Sequence, residues 1–311
     1  MAQLEYFVVD VFSDSALAGN PLAVVMNTVG LSTDRMQAIA REFNLSETTF
    51  VERRTPEAER EHGVRVRIFT TQEELQFAGH PTLGTASVLK LVAPEAVREG
   101  VVTLAENVGP IPVRLGTNDV DFGAGAGLFA EMTQRDPEFG QELDRAEVAR
   151  LIGLREEDLD QATAPQVVST GAAFAVVLLR SVEPLGRLEV LQKESAGWLR
   201  SLGARWFYIL APAAGASAKV QDREVSRCFR ARMQFNGGED PATGSAAGCA
   251  ISYLVQQKIV LPGEPAVFRQ GVEIGRPSEI FVSANVREAG VGDVRVGGST
   301  VLVARGSLFL P

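Results

Sequence analysis

The sequence predicts a pair of similar α+β domains, each with a mixed sheet wrapped around one apolar helix. Three observations predict it. A set of segments recurs in the same order in both halves of the chain. In each half an alternating strand, VRVRIFT (64–70) and SRCFRARMQF (226–235), precedes a glycine-rich loop. Each loop then enters a helix that is apolar nearly all round, FAGHPTLGTASVLKLV (77–92) and ATGSAAGCAISYLV (242–255). A helix without a polar face is buried on every side, and here its own sheet is the natural wrapping.

Taken in order, residues 4–12 read as a first strand. LAGNPLAVVM (17–26) is a turn at Gly19-Asn20-Pro21 followed by a buried strand. STDRMQAIAREFN (32–44) places Met36, Ile39, Ala40 and Phe43 on one helical face, with Ser32 or Thr33 as cap and Asn44 as terminator. SETTFVER is a strand, VRVRIFT is half-buried, and the stretch from Gly79 is a helix with Pro81 near its start and Pro94 beyond its end. His62, in EREHGVR, is expected in an exposed turn.

The second half repeats this sequence of elements. STGAAFAVVLL (169–179) matches LAGNPLAVVM, pairing Gly171 with Gly19 and repeating the AVV of 23–25 at 175–177. VLQKESAGWLRSLG is the matching helix, RWFYIL the matching strand, and Gly248 pairs with Gly84. The spacing between paired residues drifts slowly, as small loop insertions require. Boundaries are expected at 1–121 plus about 298–311 for one domain and 122–297 for the other. FGAGAGLF (122–129) has G-x-G-x-G spacing with no βαβ unit around it, so it reads as the hinge between halves rather than a dinucleotide site.

Bulk properties exclude several classes. The chain has 311 residues, enough for two cores. A net charge of −9 with no basic run disfavours nucleic acid as a partner. No apolar run reaches the ~20 residues of a membrane span, and the N-terminus lacks a signal-peptide pattern, so a cytoplasmic protein is expected. Two cysteines make no disulfide framework, and with His62 and His80 the only histidines a His/Cys zinc site is not expected.

Comparing the halves isolates residues that the fold does not need. Aligning NLSETTF with GARWFYI puts Glu47 opposite Trp206, so only one copy of this strand start carries an acid. A carboxylate there is either an exposed strand-start residue or a general base whose pKa burial raises toward ~6–7. His80, at a helix N-terminus, is either a backbone-bonded entry residue or a neutral imidazole, kept so by the dipole, that bonds substrate or relays a proton. Asp240 followed by Pro241 reads as an N-cap with proline in the first helical turn; the same EDPATGSAAG string (239–248) reads as a cradle of N–H groups with an acid at its lip. Two such helix N-termini facing one cleft would hold an anion such as a carboxylate.

The segments VDVFSDSALAGNPLAVV, MQAIAREFNLSETTFV, FAGHPTLGTASVL, EDPATGSAAG and FRQGVEIGRPSEIFV together resemble the phenazine-biosynthesis PhzF-like isomerase family, in order along nearly the whole chain. The resemblance implies a diaminopimelate-epimerase-like fold: two pseudo-symmetric domains, each a curled, barrel-like mixed sheet around a central helix, with the site between them. It implies Glu47 as principal acid/base, with His80 and Asp240 assisting. It implies a substrate-binding set of Asn20, Gly79, Pro81, Thr243, Gly244, Ser245 and Ala246. No metal or other cofactor is expected; the partner is a small carboxylate substrate, and a homodimer is expected from the family. Related epimerases and racemases carry a cysteine in each loop, where this chain has Ala78 and Thr243, so a two-thiol racemase is disfavoured. The NGG of MQFNGGEDPAT departs from the family string and bears on substrate identity. The remaining alternative is a protein that binds a small carboxylate without turnover.

Overall fold

The computed structural model describes residues 2–116, 127–220, 223–235 and 238–310. It divides into two compact units, Met1–Thr133 with Gly297–Pro311, and Gln134–Val296. The first contains β1 (Ala2–Val11), β2 (Asn20–Val25), α1 (Thr33–Phe43), β3 (Glu47–Glu52), α2 (Pro56–His62), β4 (Val64–Phe69), β5 (Glu74–Leu75), α3 (Gly79–Val92), β6 (Val101–Glu106), β7 (Gly109–Leu115) and β8 (Leu128–Thr133). The second contains β9 (Glu138–Glu142), α4 (Arg145–Leu151), β10 (Gln166–Ser169), β11 (Ala173–Leu178), α5 (Gln192–Ser201), β12 (Trp206–Pro212), β13 (Ala218–Val220), β14 (Arg223–Val225), β15 (Arg227–Arg232), β16 (Gln234–Phe235), β17 (Gly238–Glu239), α6 (Gly244–Gln256), β18 (Ala266–Gln270) and β19 (Ser278–Arg287). The long last strand, β20 (Gly290–Leu310), contributes residues to both. Most of FGAGAGLF lies outside the described residues; β8, which follows it, pairs with β7 and so groups with the first unit.

In the first unit the sheet order is β1-β2-β3-β4-β6-β7-β8-β20, and β20 pairs back onto β1, closing a barrel. Closure removes both sheet edges. The helix α3 fills the interior. Residues Gly79 to Leu89 are all buried, and the helix touches β1, β2, β3, β6, β7 and β8. Gly84 is required by this packing: a Cβ there would lie 2.6 Å from Leu22 Cδ2 and 2.8 Å from Val11 Cγ2. Outside the barrel, α1 covers the sheet with Met36, Ile39 and Ala40, which pack with Leu4, Val25, Phe50 and Phe69. Ser32 caps it by accepting from the Arg35 N–H at 3.3 Å, and Asn44 ends it in the left-handed region at φ 51°.

The second unit repeats this topology, with sheet order β9-β10-β11-β12-β15-β18-β19-β20. The ladder β1/β2/β3/β4/β6/β7 alternates antiparallel and parallel, beginning antiparallel. The ladder β10/β11/β12/β15/β18/β19 alternates identically. The helix α6 takes the place of α3, buried almost throughout. The register also supports the pairing of Glu47 with Trp206: Leu22 faces Glu47 across β2/β3, and Phe174 faces Trp206 across β11/β12.

His62 is not in a turn; it is the exposed last residue of α2. Thr55 caps this helix and Pro56 opens it, but none of its residues is buried. Without an apolar stripe there was no periodicity to mark it. Among the described residues, no helix is long and apolar enough to cross a membrane.

Candidate active site

Each unit carries one of the two residue groups singled out in the sequence. In the first unit, β2 and β3 begin side by side, which sets Asn20 and Glu47 at the same end of the sheet. The N-terminus of α3 presents His80 to both. Its Nδ1 is 3.3 Å from Asn20 Nδ2, and its Nε2 is 3.4 Å from Glu47 Oε2. His80 is 5% exposed, and burial lowers its pKa to about 3. The ring is therefore neutral at physiological pH because burial desolvates it. With Asn20 donating to Nδ1, the single ring proton sits on Nε2 and faces the Glu47 carboxyl. The Glu47 side chain keeps 17% of its surface exposed, so this carboxyl is reachable, and its 3.4 Å approach to His80 Nε2 falls short of hydrogen-bond geometry.

Gly79, His80 and Pro81 form the first turn of α3, all buried, and its N-cap residue, Ala78, makes no side-chain cap bond. The same holds for α6, which opens with Gly244, a half-buried Ser245 and a buried Ala246. Helix ends of this kind leave N–H donors for an anion.

In the second unit Asp240 is 8% exposed, but it does not cap α6. The helix begins at Gly244, with Thr243 in the N-cap position. A buried glutamine explains the delay. Gln270 accepts from the Thr243 N–H at 3.1 Å and donates to the Asp240 carbonyl at 2.8 Å and to Thr243 Oγ1 at 2.9 Å. It also accepts from Tyr208 at 3.1 Å. These bonds satisfy the backbone of residues 240–243 in a non-helical path, so Asp240-Pro241 has no need to start a helix. The Asp240 carboxylate instead accepts from Thr243 Oγ1 at 2.6 Å. Asn236 and Gly237 of the NGG segment lie outside the described residues.

Sequence comparison missed the anchors of both loops. Arg67 forms a two-pronged bond to Glu74 at 2.8 and 2.6 Å, and Arg232 one to Glu239 at 2.9 and 2.5 Å. Each glutamate stands five residues before its helix, so each loop is fixed to the sheet at the same point. The signal was present: in both halves an arginine is followed seven positions later by a glutamate.

Neither cysteine is at a helix N-terminus. Cys249 is buried within α6, where burial pushes its thiol up to about 11, and Cys228 is on β15. Among the described residues, no three His, Cys, Asp or Glu side chains are grouped to hold a metal ion.

Comparison with known proteins places this architecture. The chain matches the model of the phenazine biosynthesis-like protein family across residues 9–306. It belongs to that family. An uncharacterised isomerase of Mesorhizobium japonicum is 35% identical, with 100% of both chains aligned. The trans-2,3-dihydro-3-hydroxyanthranilate isomerase of Pseudomonas aeruginosa is 33% identical, covering 98% of this chain and 99% of that one. A solved structure of a predicted epimerase from Pseudomonas aeruginosa superposes with a TM-score of 0.81 at 33% identity, covering 99% and 100% of the two chains. A hydroxyproline epimerase of Agrobacterium vitis shares the fold alone: 11% identity, TM-score 0.63, covering 98% of this chain and 92% of that one. The protein is thus a PhzF-family isomerase with the diaminopimelate-epimerase-like fold, and Glu47, His80 and Asn20 form one cluster in its first unit.

Proposed function

We propose that this PhzF-family isomerase moves a proton within a small carboxylate-bearing substrate by acid/base catalysis, without a cofactor. The observation that carries the reading is the Glu47 carboxyl 3.4 Å from Nε2 of a neutral His80, in the first turn of α3, whose N-cap residue Ala78 provides no side-chain cap. Glu47 takes a proton from an activated carbon and returns one to another position of the same molecule. A neutral imidazole suits a donor that must hold its proton while the carboxyl works. Asp240, held by Thr243, serves as a second acid. The first turn of α3 binds the substrate carboxylate, where N–H donors stabilise charge that develops in the transition state.

The 33% identity to an isomerase of trans-2,3-dihydro-3-hydroxyanthranilate makes that compound the first to test. It carries the carboxylate that the reading requires. Incubation in deuterated solvent with wild type, Glu47→Gln and Asp240→Asn separates the roles. Wild type should incorporate deuterium into product; Glu47→Gln should lose at least ~10²-fold in rate, the usual worth of a general base. Asp240→Asn keeps an acceptor for Thr243, so it should fold normally and turn over poorly. Isomerisation by Glu47→Gln at the wild-type rate would remove Glu47 as the base. Tight binding of small carboxylates by wild type with no product would replace the catalytic reading by a binding one.

A further inference from the structure

Glu106, the last residue of β6, is 5% exposed and belongs to no role assigned above. Its Oε1 lies 2.6 Å from Thr82 Oγ1, and the same hydroxyl lies 2.7 Å from the Ala78 carbonyl. Its Oε2 is buried without a hydrogen-bond partner among the described residues. Ala78 and Thr82 bracket the first turn of α3, the turn that carries Gly79, His80 and Pro81.

Counting protons decides the state of this cluster. A threonine hydroxyl has one proton to donate. Were Glu106 an anion, that proton would serve either the carboxylate or the Ala78 carbonyl, leaving one short oxygen–oxygen contact with no proton in it. A neutral carboxylic acid removes the conflict. Glu106 donates to Thr82 Oγ1, and Thr82 donates to the Ala78 carbonyl. The buried Oε2 then belongs to an uncharged group, which costs far less than an unpartnered anion.

The second unit supplies an independent comparison. Phe50 faces Arg67 and Ile209 faces Arg232; Arg65 faces Ala105 and Arg230 faces Arg269. Following these ladders outward from Glu47 and Trp206 makes Gln270 the register equivalent of Glu106. Gln270 braces the approach to α6 with an amide, a group that is always neutral and that both donates and accepts. One unit uses the amide, and the other the acid of the same shape.

We propose that Glu106 is a positioning residue, held as a neutral carboxylic acid that ties the first turn of α3 to the sheet and so sets His80 against Glu47. The inference rests on the reading that this turn belongs to the catalytic site. Burial supports the neutral form by raising the Glu106 pKa to about 8, against smaller opposing effects of the Thr82 hydroxyl and the Arg65 charge on β4. Arg65 is itself engaged with the Ala105 carbonyl at 3.0 Å and Asn107 Oδ1 at 2.5 Å.

The test compares wild type with Glu106→Gln and Glu106→Ala by melting temperature and by isomerase rate, each from pH 5 to 9.5. In the folded state the proton is retained up to about pH 8, whereas the unfolded chain loses it near 4.5. The wild type should therefore lose stability relative to Glu106→Gln as pH rises between these values, and the gap should stop widening above about 8. Glu106→Gln should keep its rate at pH 7 within about threefold and lose the fall, about tenfold per pH unit, that wild type shows above pH 8. Glu106→Ala should fold but lose at least tenfold in rate. Parallel melting profiles of wild type and Glu106→Gln would overturn the neutral acid. A rate for Glu106→Gln as low as that for Glu106→Ala would overturn the positioning role, because a proton-transferring carboxyl would then be required. The melting arm needs no substrate, so it decides the protonation state even where the proposed isomerisation itself fails.

Discussion

Gly248 in α6 tests how the second loop is held. A Cβ at this position collides with the Gln134 side chain, whose Oε1 and Cδ occupy the space. Gln134 cannot move without loss. It donates to the Gly244 carbonyl at 3.0 Å and accepts from Thr170 Oγ1 at 2.7 Å, and it is 6% exposed. In Gly248→Ala both buried bonds break, at about 1–3 kcal/mol each once unpaired groups are counted. Alanine returns about 1 kcal/mol in helix propensity. The balance is a destabilisation of about 3 kcal/mol. At about 2–4 °C per kcal/mol for a domain of this size, the melting temperature falls by about 6–12 °C. The assay is thermal or denaturant unfolding of wild type, Gly248→Ala, Gln134→Ala and the double variant. Since Gln134→Ala makes room for the methyl group, the second substitution should cost much less in that background, with a coupling of at least ~1 kcal/mol. Strict additivity, or a Gly248→Ala variant as stable as wild type, would refute the packing argument.

Other outcomes follow from the same structure. His80 titrates near 3 when folded but near 6.5 when unfolded, so its contribution to stability is complete above about pH 6.5 and is lost as pH falls toward 3. His80→Gln should flatten that acid limb, and the ring nitrogen shifts of wild type in nuclear magnetic resonance should not move between pH 5 and 8. A titration of this ring near 6.5 would contradict its burial. Breaking the Arg232–Glu239 pair by Glu239→Gln strands a cation that is only 9% exposed and should cost about 3–5 kcal/mol in unfolding free energy. Glu74→Gln should cost less, because Arg67 and Glu74 keep 16% and 21% of their side-chain surface. Equal losses from the two would mean that burial does not set the cost.

Most of the fold was legible because its signals were local and doubled. Alternating strands, the cap at Ser32 and two apolar helices each carry their own periodicity, and their repetition in order confirmed one another. The segment from about 56 to 62 was not legible, since a helix that buries nothing has no apolar stripe. Within the site, Glu47 stood out because its register partner in the other half is Trp206. Glu106 did not, because an acid at the end of a strand looks solvated until the barrel closes over it. Asp240 was misread as a cap because the competing bonds come from Gln270, thirty residues away.

The sequence by itself determined the repeat, the two glycine-rich loops and the helices they feed, all of which depend on neighbours along the chain. Only the tertiary structure decided protonation and position: the neutral ring of His80 and the start of α6 at Gly244. These depend on desolvation and on partners brought together by strand pairing, and neither quantity is written in any local stretch of residues.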